Sequence, residues 1–238
     1  QVAIISINGK QRSGKSFLAN QFVKFLKYGD EGGTSWLDKE LESNFEWRGS
    51  YERVTSGIQI WHEPLFVKHN GEEIGVIFLD TQGLHDKSTG SQGDSVIFGV
   101  SVLLSSVFIY NERQVAEDAL QYLRSYLELA KFATGENDGS SNSERLTFQK
   151  LICLIRDFEA DEYMFGYYDD TNCPSGQTVN LKQAIFGLSP GMSAEAKDTR
   201  MGIESCFEET GVYAMSGPGR KSPNKPECGK SQDWEPEF

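Results

Sequence analysis

The stretch Gly9-Lys10-Gln11-Arg12-Ser13-Gly14-Lys15-Ser16 constrains this chain more than any other. It fits G-x-x-x-x-G-K-S/T, a loop built to hold phosphate. The two glycines let backbone N–H groups close around an anion with no side chain in the way. Lys15 brings a positive charge to β- and γ-phosphates, and the Ser16 hydroxyl can ligate Mg²⁺. The helix expected from about Phe17 aims its partial positive N-terminus at the same point. The expected phosphate contacts are therefore Gly9, Lys10, Gln11, Arg12, Ser13, Gly14, Lys15, Ser16 and Phe17. The pattern also occurs in ordinary glycine-rich turns, so its flanks decide. Val2-Ala3-Ile4-Ile5-Ser6-Ile7 is a β-branched run suited to a buried parallel strand. Phe17, Leu18, Phe22, Phe25 and Leu26 recur at helical spacing. Strand, glycine loop and helix is the confirming order.

The chain has 238 residues, enough for one large α/β domain with a sizeable core. A hydrophobic share of 38% and a charged share of 24% read as soluble and globular. A net charge of −12 disfavours a nucleic-acid or anionic-membrane surface, but not a local phosphate site. Cys153, Cys173, Cys206 and Cys228 form no C-x-x-C pair, so no zinc or redox motif is indicated. Cys153 reads as a small buried hydrophobe, and free thiols fit a reducing, cytosol-facing compartment. The uncharged stretch Ser95–Asn111, broken by Gly99 and serines, is short of a membrane span and reads as a helix running into a strand. The chain opens with Gln1 inside a strand and reads as a fragment whose missing parts could include membrane segments.

Taken in order, 28–50 is irregular, a loop length that usually signals function. Ile58–Trp61 alternates like a strand, and Asn70-Gly71 signals a hairpin turn into the buried strand Gly75–Asp80. Asp94 is expected to cap a helix to about Leu104, with a strand at Val107–Tyr110. Glu112–Ala133 reads as a long amphipathic helix, and the polar stretch Gly135–Glu144 as a mobile surface loop. Lys150–Ile155 is a buried strand, followed by an irregular aromatic-acidic loop over Glu159–Asp170. Helices are expected at Leu181–Phe186 and Ala194–Phe207, and a last strand at Val212–Met215. The fold class is a three-layer α/β phosphate-loop domain with a mostly parallel sheet. It is expected to occupy 1–219, with 220–238 an extension.

Three further elements narrow the ligand from any nucleoside triphosphate. Asp80-Thr81-Gln82-Gly83 is D-x-x-G after a buried strand. Asp80 is placed to hold Mg²⁺ through water, and the Gly83 N–H to reach a γ-phosphate where no Cβ would fit. Thr55 can put its hydroxyl on Mg²⁺ and its carbonyl on an attacking water, a contact made only with the γ-phosphate present; Ser56 is the neighbouring candidate. Asp157 stands at the C-terminal end of a parallel strand, where such sheets bind ligands. Its carboxylate can accept from the N1–H and N2–H₂ of guanine, a donor pair adenine lacks. The competing reading is an Arg156–Asp157 surface ion pair. Leu84 stands where a water-positioning glutamine is usual, so charge stabilisation must come from elsewhere. Arg12, inside the loop, could swing over the phosphates as an arginine finger, or simply face solvent.

With these residues in place the chain resembles the atlastin branch of the dynamin superfamily over nearly its whole length. The block Phe45–Trp61, containing Trp47-Arg48-Gly49 and Thr55-Ser56-Gly57-Ile58, is similar to that family's first switch region. Guanylate-binding proteins share only its second part. Asp80-Thr81-Gln82-Gly83, Ile109-Tyr110-Asn111 and Glu117-Asp118 also match, and Arg156-Asp157 is similar to the R-D pair that replaces N-K-x-D. The departures are Gly217-Pro218-Gly219, in place of H-P-G, and the polar stretch Gly135–Glu144. The resemblance implies GTP hydrolysis with Mg²⁺ as cofactor. It implies a homodimer across the nucleotide face, with Arg12 locked on the phosphates and Arg48 and Glu52 near the contact. In the intact protein it implies tethering and fusion of endoplasmic reticulum membranes from their cytosolic face. A nucleotide-dependent binding module with little turnover and a guanylate-binding-protein-like GTPase are the alternatives.

Overall fold

The computed structural model describes residues 1–29, 35–46, 55, 57–84, 90–133, 148–159 and 161–216. Its centre is a sheet of eight strands in the order β2-β4-β1-β5-β6-β8-β7, with β3 also pairing β4. The strands are β1 (Val2–Asn8), β2 (Ile58–Ile60), β3 (Leu65–His69), β4 (Glu72–Thr81), β5 (Val107–Glu112), β6 (Phe148–Ile155), β7 (Gly166–Tyr168) and β8 (Phe207–Ala214). The helices are α1 (Lys15–Tyr28), α2 (Gly90–Leu104), α3 (Glu117–Ala133), α4 (Leu181–Phe186) and α5 (Ala194–Glu204).

Strands β4, β1, β5, β6 and β8 run parallel, while β2, β3 and β7 are antiparallel additions at the margins. A parallel strand is covered on both faces, and successive side chains alternate between them. On β5, Phe108 and Tyr110 enter one core with Phe98 and Val102 of α2 and Leu120, Leu123 and Leu127 of α3. Ile109 enters the other, with Leu18, Ala19 and Val23 of α1. On β6, Leu151, Cys153 and Ile155 face the first core and Leu154 the second. The long apolar runs are thus strands read by two layers of helices.

Asn70 (φ 51°) and Gly71 (φ 85°) are both left-handed and close the β3–β4 turn with the twist a tight hairpin prefers. Four expected boundaries are corrected. Asp94 lies inside α2, not at its cap, and is buried against Gln82, whose Nε2 donates to Asp94 Oδ1 at 3.4 Å. Glu112 belongs to β5, where it pairs with Ile155, and α3 starts at Glu117. The Glu159–Asp170 stretch is not wholly irregular, because Gly166–Tyr168 joins β8 as an edge strand. Phe207 opens β8 instead of ending α5: its residue pairing with Phe148 on β6 claims it for the sheet. The expected stretch Gly135–Glu144, Ser56, Arg48, Glu52, Gly217–Gly219 and the 220–238 extension lie outside the described residues.

Candidate nucleotide site

The site stands at the C-terminal ends of β1, β4, β5 and β6, the edge where open parallel sheets bind ligands. Between β1 and α1 the loop turns on three left-handed or glycine-only conformations: Gly9 (φ 149°), Arg12 (φ 65°) and Gly14 (φ 73°). Gly9 also has no room for a side chain, since a Cβ there would stand 2.1 Å from the Asn111 carbonyl oxygen. Arg12 is the exception, a non-glycine residue held left-handed at the exposed crest of the loop. Strain of this kind gathers at functional sites.

Behind the loop, the carbonyl of Lys10 is a hub. It accepts from the Ser13 N–H at 3.3 Å, the Ser13 hydroxyl at 2.8 Å and Lys15 Nζ at 3.0 Å. Asn111, at the end of β5, donates through Nδ2 to the Ser13 carbonyl and hydroxyl at 3.1 and 2.8 Å. Arg156, at the end of β6, donates through NH1 to the Gly14 carbonyl at 3.2 Å. Lys15 is buried, and desolvation holds its pKa down to about 8, with Asp80 and Glu112 pulling it upward. An anion arriving beside it would restore its full charge.

The acid of D-x-x-G meets the loop's serine and the threonine. Asp80 Oδ2 accepts from Ser16 Oγ at 2.5 Å and Thr55 Oγ1 at 3.3 Å, and the two hydroxyls lie 3.2 Å apart. Asp80 Oδ1 is buried with no partner among the described residues. Burial raises the Asp80 pKa, against the hydrogen bond from Ser16 and the charge of Lys15. Two hydroxyls and a carboxylate with a bare oxygen suit a hard divalent cation that keeps most of its water. Among the described residues no cluster of three His, Cys, Asp or Glu could hold a metal.

Gly83 is pressed onto the loop: a Cβ there would stand 2.2 Å from Gln11 Cα. The next residue is stitched to it, Leu84 N–H donating to Gly9 O at 3.0 Å and Gln11 N–H to Leu84 O at 3.1 Å. The Leu84 side chain points into the core and is 1% exposed. Asp157 is left-handed (φ 55°), and its Oδ2 receives Arg113 Nε at 3.1 Å. It does not pair by hydrogen bond with Arg156, whose guanidinium lies under Gly14. Phe17 is buried in the first turn of α1.

Residue reading alone gave no role to Asn111, Glu112 or Gln82. A signal is present for Asn111, a polar residue just past the apolar run Val107–Tyr110, but not for Glu112, which reads as a helix start. Gln82 accepts the Gly57 N–H through Oε1 at 2.9 Å and donates its own N–H to Gly57 O at 2.9 Å, which joins the threonine loop to the acid strand.

The model of the guanylate-binding protein N-terminal domain matches residues 1–238. The chain belongs to that family. It is 34% identical over 244 residues to the atlastin of Drosophila melanogaster, 32% over 243 to atlastin-1 of Bos taurus and 33% over 229 to atlastin-2 of Xenopus laevis. These alignments cover 100%, 100% and 94% of the chain but 43%, 41% and 37% of those proteins, so the chain spans about two-fifths of its relatives' length. It is an atlastin-like GTPase domain of the dynamin superfamily. Among the described residues no helix is long and apolar enough to cross a membrane.

Proposed function

We propose that the domain binds GTP with Mg²⁺, hydrolyses it to GDP and phosphate, and pairs with a second copy across its nucleotide face while doing so. The observation that carries this reading is the meeting of Ser16, Thr55 and Asp80 at the mouth of the loop that holds Lys15. Lys15 and Arg12 would neutralise charge on the transferred phosphoryl group, in which water attacks γ-phosphorus and the bond to the β-γ bridging oxygen breaks. Ser16, Thr55 and Asp80 are the residues that would hold Mg²⁺, which when bound neutralises charge between the β- and γ-phosphates. Gly83 would sense the γ-phosphate through its N–H. Asp157 would read guanine, sharing or exchanging its contact with Arg113, while Arg156 supports the loop from behind.

The buried Leu84 gives no side chain there to orient water, and Arg12 is exposed at the loop crest. Turnover by a lone copy is therefore slow, and a partner copy would seat Arg12 over the phosphates. In an intact protein this cycle would tether and fuse endoplasmic reticulum membranes from their cytosolic side, as the atlastin likeness suggests. The same Leu84 also favours a second reading, a GTP-gated binding module with little turnover. Multiple-turnover phosphate release by wild type and Arg12→Ala separates the two. Light-scattering chromatography with GDP, a non-hydrolysable GTP analogue and a GDP–fluoride mimic tests pairing. Dimers with the last two, and an Arg12-dependent rate, support hydrolysis with pairing. A monomer throughout removes the tethering role, and equal near-zero rates favour the module.

A further inference from the structure

The last residue of β5 places a negative charge directly behind a loop meant for anions. Glu112 is 4% exposed, and its Oε1 has no hydrogen-bond partner among the described residues. Its Oε2 lies 3.7 Å from Lys10 Nζ, the half-exposed side chain of the hub residue. The Lys10 carbonyl in turn holds Lys15 Nζ at 3.0 Å. On the other side, the Glu112 carbonyl accepts the Arg156 N–H at 2.8 Å, and Arg156 reaches Gly14. One strand end thus touches both supports of the phosphate loop. A buried carboxylate with one bare oxygen is costly.

We propose that Glu112 is a positioning residue that holds Lys10, and through it Lys15, in the ligand-free arrangement, and so weakens the grip on guanine nucleotide and speeds product release. The inference rests on the nucleotide reading of the site given above. Its negative charge favours the cationic form of Lys15 without phosphate and opposes the approach of phosphate oxygens. Lys10 cancels part of that field. The charged and titratable groups facing the carboxylate are Lys10 from the loop, Lys15 from α1, Tyr110 from its own strand and Cys153 from β6. Desolvation lifts the Glu112 pKa above the ordinary carboxylate range, against the pull of Lys10.

The test is GDP affinity by fluorescent-nucleotide titration, in Glu112→Gln, Lys10→Met and the double variant beside wild type. Removing one nearby unit charge through a protein-like dielectric changes anion affinity by about tenfold. Glu112→Gln is expected to bind GDP tighter and release it more slowly, Lys10→Met to bind it more weakly, and the double variant to return towards wild type. A packing role alone would leave the effect of Glu112→Gln uncompensated by Lys10→Met. Unchanged affinity in Glu112→Gln with a wild-type melting temperature, or a double variant that shows no compensation, overturns the inference and leaves the GTPase reading standing. Failure of wild type to bind GDP or GTP at all overturns both.

Discussion

Replacing Gly83 by alanine puts a methyl carbon 2.2 Å from Gln11 Cα and 2.6 Å from Gln11 N. Both are backbone atoms, so no side chain can rotate away. Carbon atoms rest at about 3.5 Å or more, so one segment must retreat by more than about 1 Å. The hydrogen bonds between Leu84 and the loop measure 3.0 and 3.1 Å, and that retreat takes both past the range of a real bond. Each is worth about 1 kcal/mol, and residual overpacking adds about 1 kcal/mol more, for a total of about 3 kcal/mol. For a chain of this size the melting temperature falls by roughly 5–10 °C. Differential scanning fluorimetry without nucleotide reads the loss, and titration with GTP analogue and GDP reads the site. The analogue loses more affinity than GDP, because the displaced segment is the one meant for the γ-phosphate. A variant that melts within about 2 °C of wild type and keeps its preference for the triphosphate refutes the packing argument.

Asp157→Asn should lose GTP and gain xanthosine triphosphate, since the amide matches a base carrying a carbonyl where guanine carries an amino group; competition binding checks it, and unchanged GTP preference refutes it. Asp80→Asn should melt higher than wild type without nucleotide near neutral pH and bind Mg²⁺·GTP more weakly. The sign follows from a raised native pKa: the fold binds that proton more tightly than the unfolded chain. Asp80 therefore costs stability above its native pKa, and the cost shrinks as pH falls through it, so the gain from asparagine should shrink in acid. Cys153 is buried with its thiol pushed up to about 12, and Cys206 is also buried, whereas Cys173 is exposed. Iodoacetamide should label Cys173 quickly and the other two only on unfolding, as read by peptide mass spectrometry.

What was legible in the sequence was whatever local chemistry dictates. The glycines of the loop, the Asn70-Gly71 turn and the apolar runs of β1, β4, β5 and β6 needed no distant partner to be read. What was not legible depended on pairing. Glu112 follows a strand but looks like a helix start, since glutamate is a poor strand former, and it is pairing with β6, opposite Ile155 and through the Arg156 N–H, that holds it extended. Phe207-Glu208-Glu209-Thr210 looks too polar for a central element, yet it lies between β6 and the edge, where the two glutamates stay exposed. Gly166–Tyr168 is too short to announce itself and is made a strand by β8. In the site, types and positions could be named in advance for Lys15, Ser16, Thr55 and Asp80. Arg156 could be named as well, but that its guanidinium supports the loop from below Gly14 could not, because it reaches there from a strand remote in sequence. The competing ion-pair reading of Arg156 and Asp157 is set aside, since Arg156 reaches Gly14 and Asp157 meets Arg113.

Gln82 bonds Gly57 twice, once by its backbone and once by its side chain, and its amide reaches Asp94 on α2. The threonine loop and the helix α2 are thereby joined through one glutamine. News of an occupied pocket would travel outward along that helix and surface on the far side of the sheet from α1.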